Sequence, residues 1–369
     1  MIELALRNLI SEKTRFAFSA AGIGFAVFLI TIMLGLYQGW NNKIGGFVEE
    51  VEADVWIARQ GTTDFINAAS ILPLTMEQEL EAEEGVAEVH QMIVRPMQFR
   101  LDDRDAAMHL VGYNTASGVG GPSNISGDGA PPQPGEIIID SALTKTEGVG
   151  VGDELTFGDN TVTVAGKSSG GNFVFAQASF MDVEAARELL GMTGLTTFYL
   201  VDLEEGVDPE QWAAGYEAAH TDLAAFTSAE FASATRERIL GNVIPIIGLI
   251  VGLALVVGIA VTSLTIYTTT VEKTREFGVM KAIGFNNRDL YKLVVLQSMI
   301  IGFMGFVFGI ILTFVLSLFI ADVVPQFVVL MRPLDAAFVL IATLMMAGLA
   351  AIVPAKRVGG VDPAVVFRG

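Results

Sequence analysis

The chain contains no cysteine. No disulfide can staple it, and neither a thiolate metal site nor a cysteine nucleophile is available. Charge is also scarce. Asp, Glu, Lys and Arg make up 17% of the 369 residues, against about 25% in ordinary soluble domains. Histidine occurs three times, at His90, His109 and His220. There is no internal repeat and no low-complexity tail.

Apolar residues take the place of charge, and they come in blocks. Four stretches carry no charged residue: 16–42, 239–271, 293–321 and 336–355. A helix needs roughly 20 mostly apolar residues to cross a ~30 Å hydrocarbon core. Buried helices of soluble proteins rarely lack charge for so long. The sequence therefore predicts a membrane α-helical protein with four transmembrane helices, at 16–42, 238–271, 292–321 and 336–356. The second is longer than a span requires, roughly 50 Å if wholly helical, and is expected to project as a stalk. Its end, Thr262 to Thr270, is too rich in hydroxyls to face lipid throughout.

Basic residues near span ends set orientation. The segments 1–15, 272–292 and 356–369 hold eleven of the 22 Lys and Arg residues but only six of the 41 Asp and Glu residues. Both termini and the 272–291 loop are therefore expected on the cytoplasmic side, and the acidic remainder outside. Residues 1–15 read as an amphipathic lead-in helix with Ile2, Leu6, Leu9 and Ile10 on one face, suited to a headgroup layer. The first block is longer than a signal-peptide core, so an uncleaved span is expected.

Residues 43–237 are long enough for a domain with its own core and read as α+β. Strands are expected at 53–59, 86–101, 107–113, 136–140, 154–157, 161–165 and 197–203, and helices at 76–84, 182–190 and 209–220. Residues 322–335 form a short outer loop and 357–369 a cytoplasmic tail.

Three motifs stand in order along this topology. The first follows span two: Glu272-Lys273-Thr274-Arg275-Glu276-Phe277-Gly278-Val279-Met280-Lys281-Ala282-Ile283-Gly284. The second ends span four: Val353-Pro354-Ala355-Lys356-Arg357, then Val361-Asp362-Pro363-Ala364. The third lies in the large domain: Gly135-Glu136-Ile137-Ile138-Ile139-Asp140, then Val151-Gly152-Asp153-Glu154-Leu155. With them the chain resembles the FtsX-like permease family, the MacB-type (type VII) ABC transporters, over essentially its whole length.

The resemblance implies a permease subunit that works as a homodimer with two copies of a separate ABC ATPase. ATP and Mg are then bound by that partner, and no cofactor or catalytic residue is expected in this chain. The 272–291 loop is implied to dock on the ATPase, with Arg275, Glu276, Phe277, Gly278, Met280, Lys281, Ile283 and Gly284 as coupling residues. The movement of the ATPase is implied to reach the outer domain by mechanotransmission, serving export, extraction of lipids or lipoproteins, or activation of a cell-wall hydrolase. The residues suit docking on their own account. Arg275, Glu276 and Lys281 offer charge, and Phe277, Val279, Met280 and Ile283 offer an apolar face for a partner groove. The competing reading is a solvated loop that only sets topology.

Gly166-Lys167-Ser168 lacks the glycine five residues earlier that a phosphate loop requires, since position 161 is Thr. Gly35 and Gly39, Gly248 and Gly252, and Gly305 and Gly309 form small-xxx-small pairs, suited to a dimer face or to packing within the chain. Glu49 and Glu50 stand in an acidic run just beyond span one. They offer weak candidates for a cationic substrate, against a solvated acidic stalk. His90 and Met92 share strand spacing, with Met97 and Met108 nearby in sequence. That spacing alone does not define a metal or haem site, and no metal is expected. Partners are thus an ATPase, a second copy, the lipid bilayer and a possible outer protein, with nothing pointing to nucleic acid.

Overall fold

The computed structural model describes residues 13–67, 70–102, 104–126, 129–174, 177–320, 324 and 327–360. The expected lead-in helix therefore lies largely outside the described residues, as do the end of the expected tail and its Asp362-Pro363 pair. Contacts divide the chain into two compact units. One is a helical unit of 13–38, Ile244–Phe319 and 329–360, and the other is a domain of Gly39–Val243 with Ile320–Val328.

Helix α1 (Lys13–Glu50) is unbroken over 38 residues and supplies residues to both units. It continues past position 42, where charge first reappears. Ile44, Phe47, Val48 and Val51 keep a spacing of three and four and are all buried. Lys43 thus marks a change of surroundings, not a helix stop.

The domain is built on a ten-stranded sheet with two small partners. In chain order its elements are β1 (Val55–Arg59), β2 (Leu72–Pro73), α2 (Met76–Glu81), β3 (Val86–Leu101), β4 (Arg104–Tyr113), β5 (Asn124–Ser126), β6 (Glu136–Asp140), α3 (Ser141–Glu147), β7 (Glu154–Phe157), β8 (Asn160–Ser169), β9 (Ala178–Asp182), α4 (Val183–Leu190), β10 (Leu195–Thr196), β11 (Phe198–Leu203), α5 (Pro209–Ala219), β12 (Leu223–Thr227) and α6 (Ser228–Gly241). The sheet order is β12-β1-β11-β3-β4-β9-β6-β8-β5, with β7 against β3 and β8, while β10 pairs with β2. The β4–β9 and β6–β8 pairs are parallel and the rest antiparallel.

Strand alternation feeds separate cores. Trp56 and Ala58 of β1 join Phe47, Met92, Phe198 and Phe231 on one side. Val55 and Ile57 join Leu72, Leu80, Tyr199 and Tyr216 on the other. A third core gathers Phe99, Leu110, Ile137, Ile139 and Leu155. Phe47, Phe65 and Phe173 pack ring on ring, with centroids 4.9–5.5 Å apart. Tyr113 meets Phe180 edge-on, and burial pushes its phenol up to about 12.

Side-chain caps set several helix starts. Asp182 caps α4 and Asp208 caps α5, each accepting from two backbone N–H groups. Thr227 and Glu230 close a reciprocal capping box at α6. Asp140 accepts from the N–H of Ala142 and of Gly171, at 2.7 and 2.8 Å. Burial still raises its carboxyl above the usual range. Strand β8 runs beyond the expected 161–165 and contains Gly166, Lys167 and Ser168, so that triplet is sheet and not a phosphate loop.

The second apolar block is two helices. Helix α6 ends at Gly241 and α7 (Ile244–Glu272) begins after a turn in which the Val243 N–H reaches the Leu240 carbonyl. Pro245 explains the break: it has no N–H to continue a helix and disfavours helical geometry just before itself. Helices α8 (Thr274–Ala282), α9 (Asn287–Ile320), α10 (Pro333–Ala350) and α11 (Ile352–Gly359) follow. Four segments are long and apolar enough to cross a membrane: α1, α7, α9 and the α10–α11 run.

Ala254, Gly258, Thr262, Ile266 and Thr270 form the buried stripe of α7. The hydroxyls of Thr265 and Thr269 return to the carbonyls of Val261 and Thr265, at 2.9 and 3.0 Å. This satisfies them without water. Helices α1 and α9 approach backbone to backbone. A Cβ on Gly309 would stand 2.6 Å from the Gly24 carbonyl oxygen, and one on Gly305 3.1 Å from that of Ala20. Ser298 donates to the Ala347 carbonyl, tying α9 to α10.

Gly309→Val is expected to force α1 and α9 apart and to destabilise the detergent-solubilised chain by ~1–3 kcal/mol. Thermal unfolding checks this. Gly46→Ala, whose added Cβ meets open space, should cause no loss.

Candidate functional site

The loop between α7 and α9 folds into α8, and its sequence shows why it stops where it does. The Gly284 N–H reaches the Lys281 carbonyl and the Phe285 N–H reaches the Met280 carbonyl, at 3.1 and 3.0 Å. This is the paired bond of a Schellman ending. Gly284 has φ +108°, a backbone state that side chains resist. The chain then restarts at once. The Asn286 side chain accepts from the Asp289 N–H, while Asp289 accepts from the Asn286 N–H. The short helix is thus closed at its C-terminal end, and the next helix is capped at its start directly after it.

One side of α8 is anchored. Phe277 is 2% exposed and packs with Leu290, Leu293, Ile301 and Val358, with Met280 beside it. Gly278 is buried too. Lys281 donates from Nζ to the Gly359 carbonyl at 2.8 Å, and Tyr291 lies against the same glycine. The end of α11 and the anchored side of α8 therefore share one packed cluster. The other side is open. Arg275 and Glu276 are exposed, Val279 is 44% exposed and Ile283 71%. Positions 275, 276, 279 and 283 recur at helical spacing and form one charged and apolar face.

This divides the residues that the sequence joined. Phe277 was expected on the partner-facing side, and the structure places it in the core, because the helix can present only one side outward. Val279 and Ile283 stay on the open face. Two neighbours of the site were not legible in the sequence. Gly359 lies 78 residues beyond its partner Lys281. Arg15, at the start of α1, forms a two-pronged ion pair with Glu272 at the end of α7, one bond being 2.8 Å.

The glycine pairs divide as well. Gly305 and Gly309 serve α1 within the chain. Gly35 is covered by Val329 and Gly39 by the Val328 carbonyl. A Cβ added at Gly248 or Gly252 would meet nothing within 4 Å among the described residues. They lie on a face of α7 that also exposes Ile246, Leu249, Leu253 and Val256. Glu49, offered as a weak substrate ligand, is paired with Arg236 at 2.8 Å. Arg236 also donates to the Asn41 carbonyl at 2.9 Å and lies across Gly45. Glu49 thus holds α6 to the end of α1. Glu50 is exposed near Gly170.

Phe277→Ala should cost the fold about 3–5 kcal/mol by emptying a core position. Gly284→Ala should cost ~1–3 kcal/mol through backbone strain. Ile283→Asp should leave stability unchanged. Thermal or denaturant unfolding in detergent separates the three.

Comparison with known proteins places the chain. A family model for the MacB-like periplasmic core domain matches residues 16–219, and one for the FtsX-like permease C-terminal region matches 248–363. Uncharacterised ABC transporter permeases of Mycobacterium bovis and Mycobacterium tuberculosis are 24% identical over 375 residues, covering all of both chains. One from Methanocaldococcus jannaschii is 28% identical over 182 residues, covering 47% of this chain and 44% of its own. The solved periplasmic region of MacB from Actinobacillus actinomycetemcomitans superposes on 49% of this chain and 92% of its own, with 10% identity and a TM-score of 0.38. The extracellular domain of the noncanonical transporter YknZ from Gram-positive bacteria covers 47% of this chain and 100% of its own, with 14% identity and a TM-score of 0.35. The chain belongs to the FtsX-like permease family of ABC transporters, with a MacB-like core domain between its first and second membrane-crossing helices.

Proposed function

We propose that this chain is the membrane subunit of an ATP-driven transporter and that a separate ABC ATPase docks on the open face of α8. The observation that carries this reading is the solvent-facing pair Val279 and Ile283 beside Arg275 and Glu276. They stand on a helix fixed from behind by Phe277. Exposed apolar side chains ringed by charge suit a helix-in-groove contact, and a solvated loop needs no such anchoring. ATP and Mg belong to the partner. Both termini and α8 lie on the cytoplasmic side, where the basic residues collect, and the acidic α+β domain lies outside.

The working unit is a homodimer with two ATPases. Among the described segments, α7 is the least buried of the four membrane-crossing candidates. Its uncovered Gly248 and Gly252 allow a second copy to approach closely. Force from the ATPase reaches α8, then the bundle through Phe277, and is passed to the outer domain. Export, lipid extraction and activation of an outer enzyme all use that stroke.

The test is the ATPase rate of the complex in lipid nanodiscs. Val279→Asp with Ile283→Asp removes two apolar anchors, each worth ~1 kcal/mol or more, and should weaken docking about tenfold or more. The permease itself should stay folded. Unchanged co-purification and an unchanged rate would refute the docking face. Gly248→Leu with Gly252→Leu should shift the chain from dimer to monomer in crosslinking, and a persistent dimer would refute that interface. Stimulation of the unaltered complex by a small ligand would assign export, whereas capture of a protein without such a response would assign activation.

A further inference from the structure

Glu88 and His90 are two residues apart on β3, so their side chains leave the same face of the sheet. Asp202 on β11 is the direct cross-strand partner of Glu88. The register slips immediately after Asp202, and such irregularities re-aim side chains. His90 Nε2 lies 3.2 Å from Asp202 Oδ2 and 3.6 Å from Glu88 Oε2. The imidazole is almost fully buried, while Glu88 is open to water and Asp202 partly so. Asp54 stands close by, accepting from the Leu203 N–H at 2.9 Å.

The cluster is electrostatically unbalanced. Carboxylates directly opposite one another across two strands repel. His90 is the side-chain hydrogen-bond partner of Asp202. A histidine–aspartate pair would need one carboxylate, and here a second stands within reach of the same nitrogen.

We propose that Glu88, His90 and Asp202 bind one divalent transition-metal ion of the zinc, cobalt or manganese kind, which ties β3 to β11. Imidazole combined with carboxylate suits such ions, whereas calcium and magnesium favour oxygen alone. Metal–ligand bonds of 2.0–2.2 Å at tetrahedral angles set donor atoms roughly 3.4 Å apart. The separations of 3.2 and 3.6 Å are already near that value. All three donor atoms lie within 4.8 Å of one another, among the described residues the one such group. The open side toward Glu88 leaves room for water to complete the shell.

The test is binding of Co²⁺ and Zn²⁺ to the tag-free full chain in nanodiscs, read by Co²⁺ ligand-field absorption, calorimetry and thermal unfolding. One ion per chain is expected, with a raised unfolding temperature because the metal binds only the folded state. Loss of an outer-shell partner costs ~10–100-fold in affinity, and loss of a ligand should cost no less. Glu88→Gln is the decisive variant because its site is exposed and the fold does not depend on it. His90→Gln and Asp202→Asn should weaken binding in the same way. No saturable binding by the unaltered chain, or an affinity unchanged by Glu88→Gln, would overturn the site.

Discussion

Where α1 and α9 cross, backbone meets backbone. At Gly24, Gly305 and Gly309 the facing helix presses in with the carbonyls of Gly305, Ala20 and Gly24 and the side chains of Phe308, Ile23 and Val27, filling the space that Cβ atoms would need. Lipid offers no hydrophobic drive for helices to associate, so close packing must supply it. Around this contact Ile23, Val27, Ile301, Val339 and Met346 fill the interior. The same packed cluster extends to Phe277 and Val358. The position of α8, and hence of its open face, therefore rests on a bundle that glycine allows to close.

The two sides of α8 do different work. The buried side is fixed to the bundle through Phe277, Met280 and the Lys281–Gly359 bond. The outer side, with Val279 and Ile283, is free to meet a protein. The paired bonds at Gly284 close the C-terminal end of α8, and the reciprocal cap at Asn286 and Asp289 starts α9 directly after it.

Much of this was legible in the sequence. Uncharged length announced four membrane helices, and alternation announced β3, β4 and β6. The misses have local causes. Charge at Lys43 hid the continuation of the helix itself, whose apolar stripe Ile44–Phe47–Val48–Val51 runs on beyond the expected span. The block after Ile239 hid the stop imposed by Pro245. Helix α3 is too short, and β12 too rich in alanine, to declare themselves. At the docking site the motif located the residues, but motif and composition do not say which side of a helix turns inward, so Phe277 was placed on the wrong side. The Glu88–His90–Asp202 group was out of reach for another reason. Two of its members are neighbours, but the third lies 112 residues from His90 and is delivered only by strand register.

The central claim is that the Ile283 side of α8 faces the cytoplasm and is covered by the ATPase. The absence of cysteine allows a direct measurement, because Ile283→Cys places a single thiol in the chain. Its rate of reaction with a membrane-impermeant maleimide should be followed in inside-out and right-side-out vesicles, with and without the ATPase bound. The account predicts rapid reaction in inside-out vesicles alone, and protection once the ATPase is present. Reaction from the outer side, or a rate indifferent to the ATPase, would contradict it.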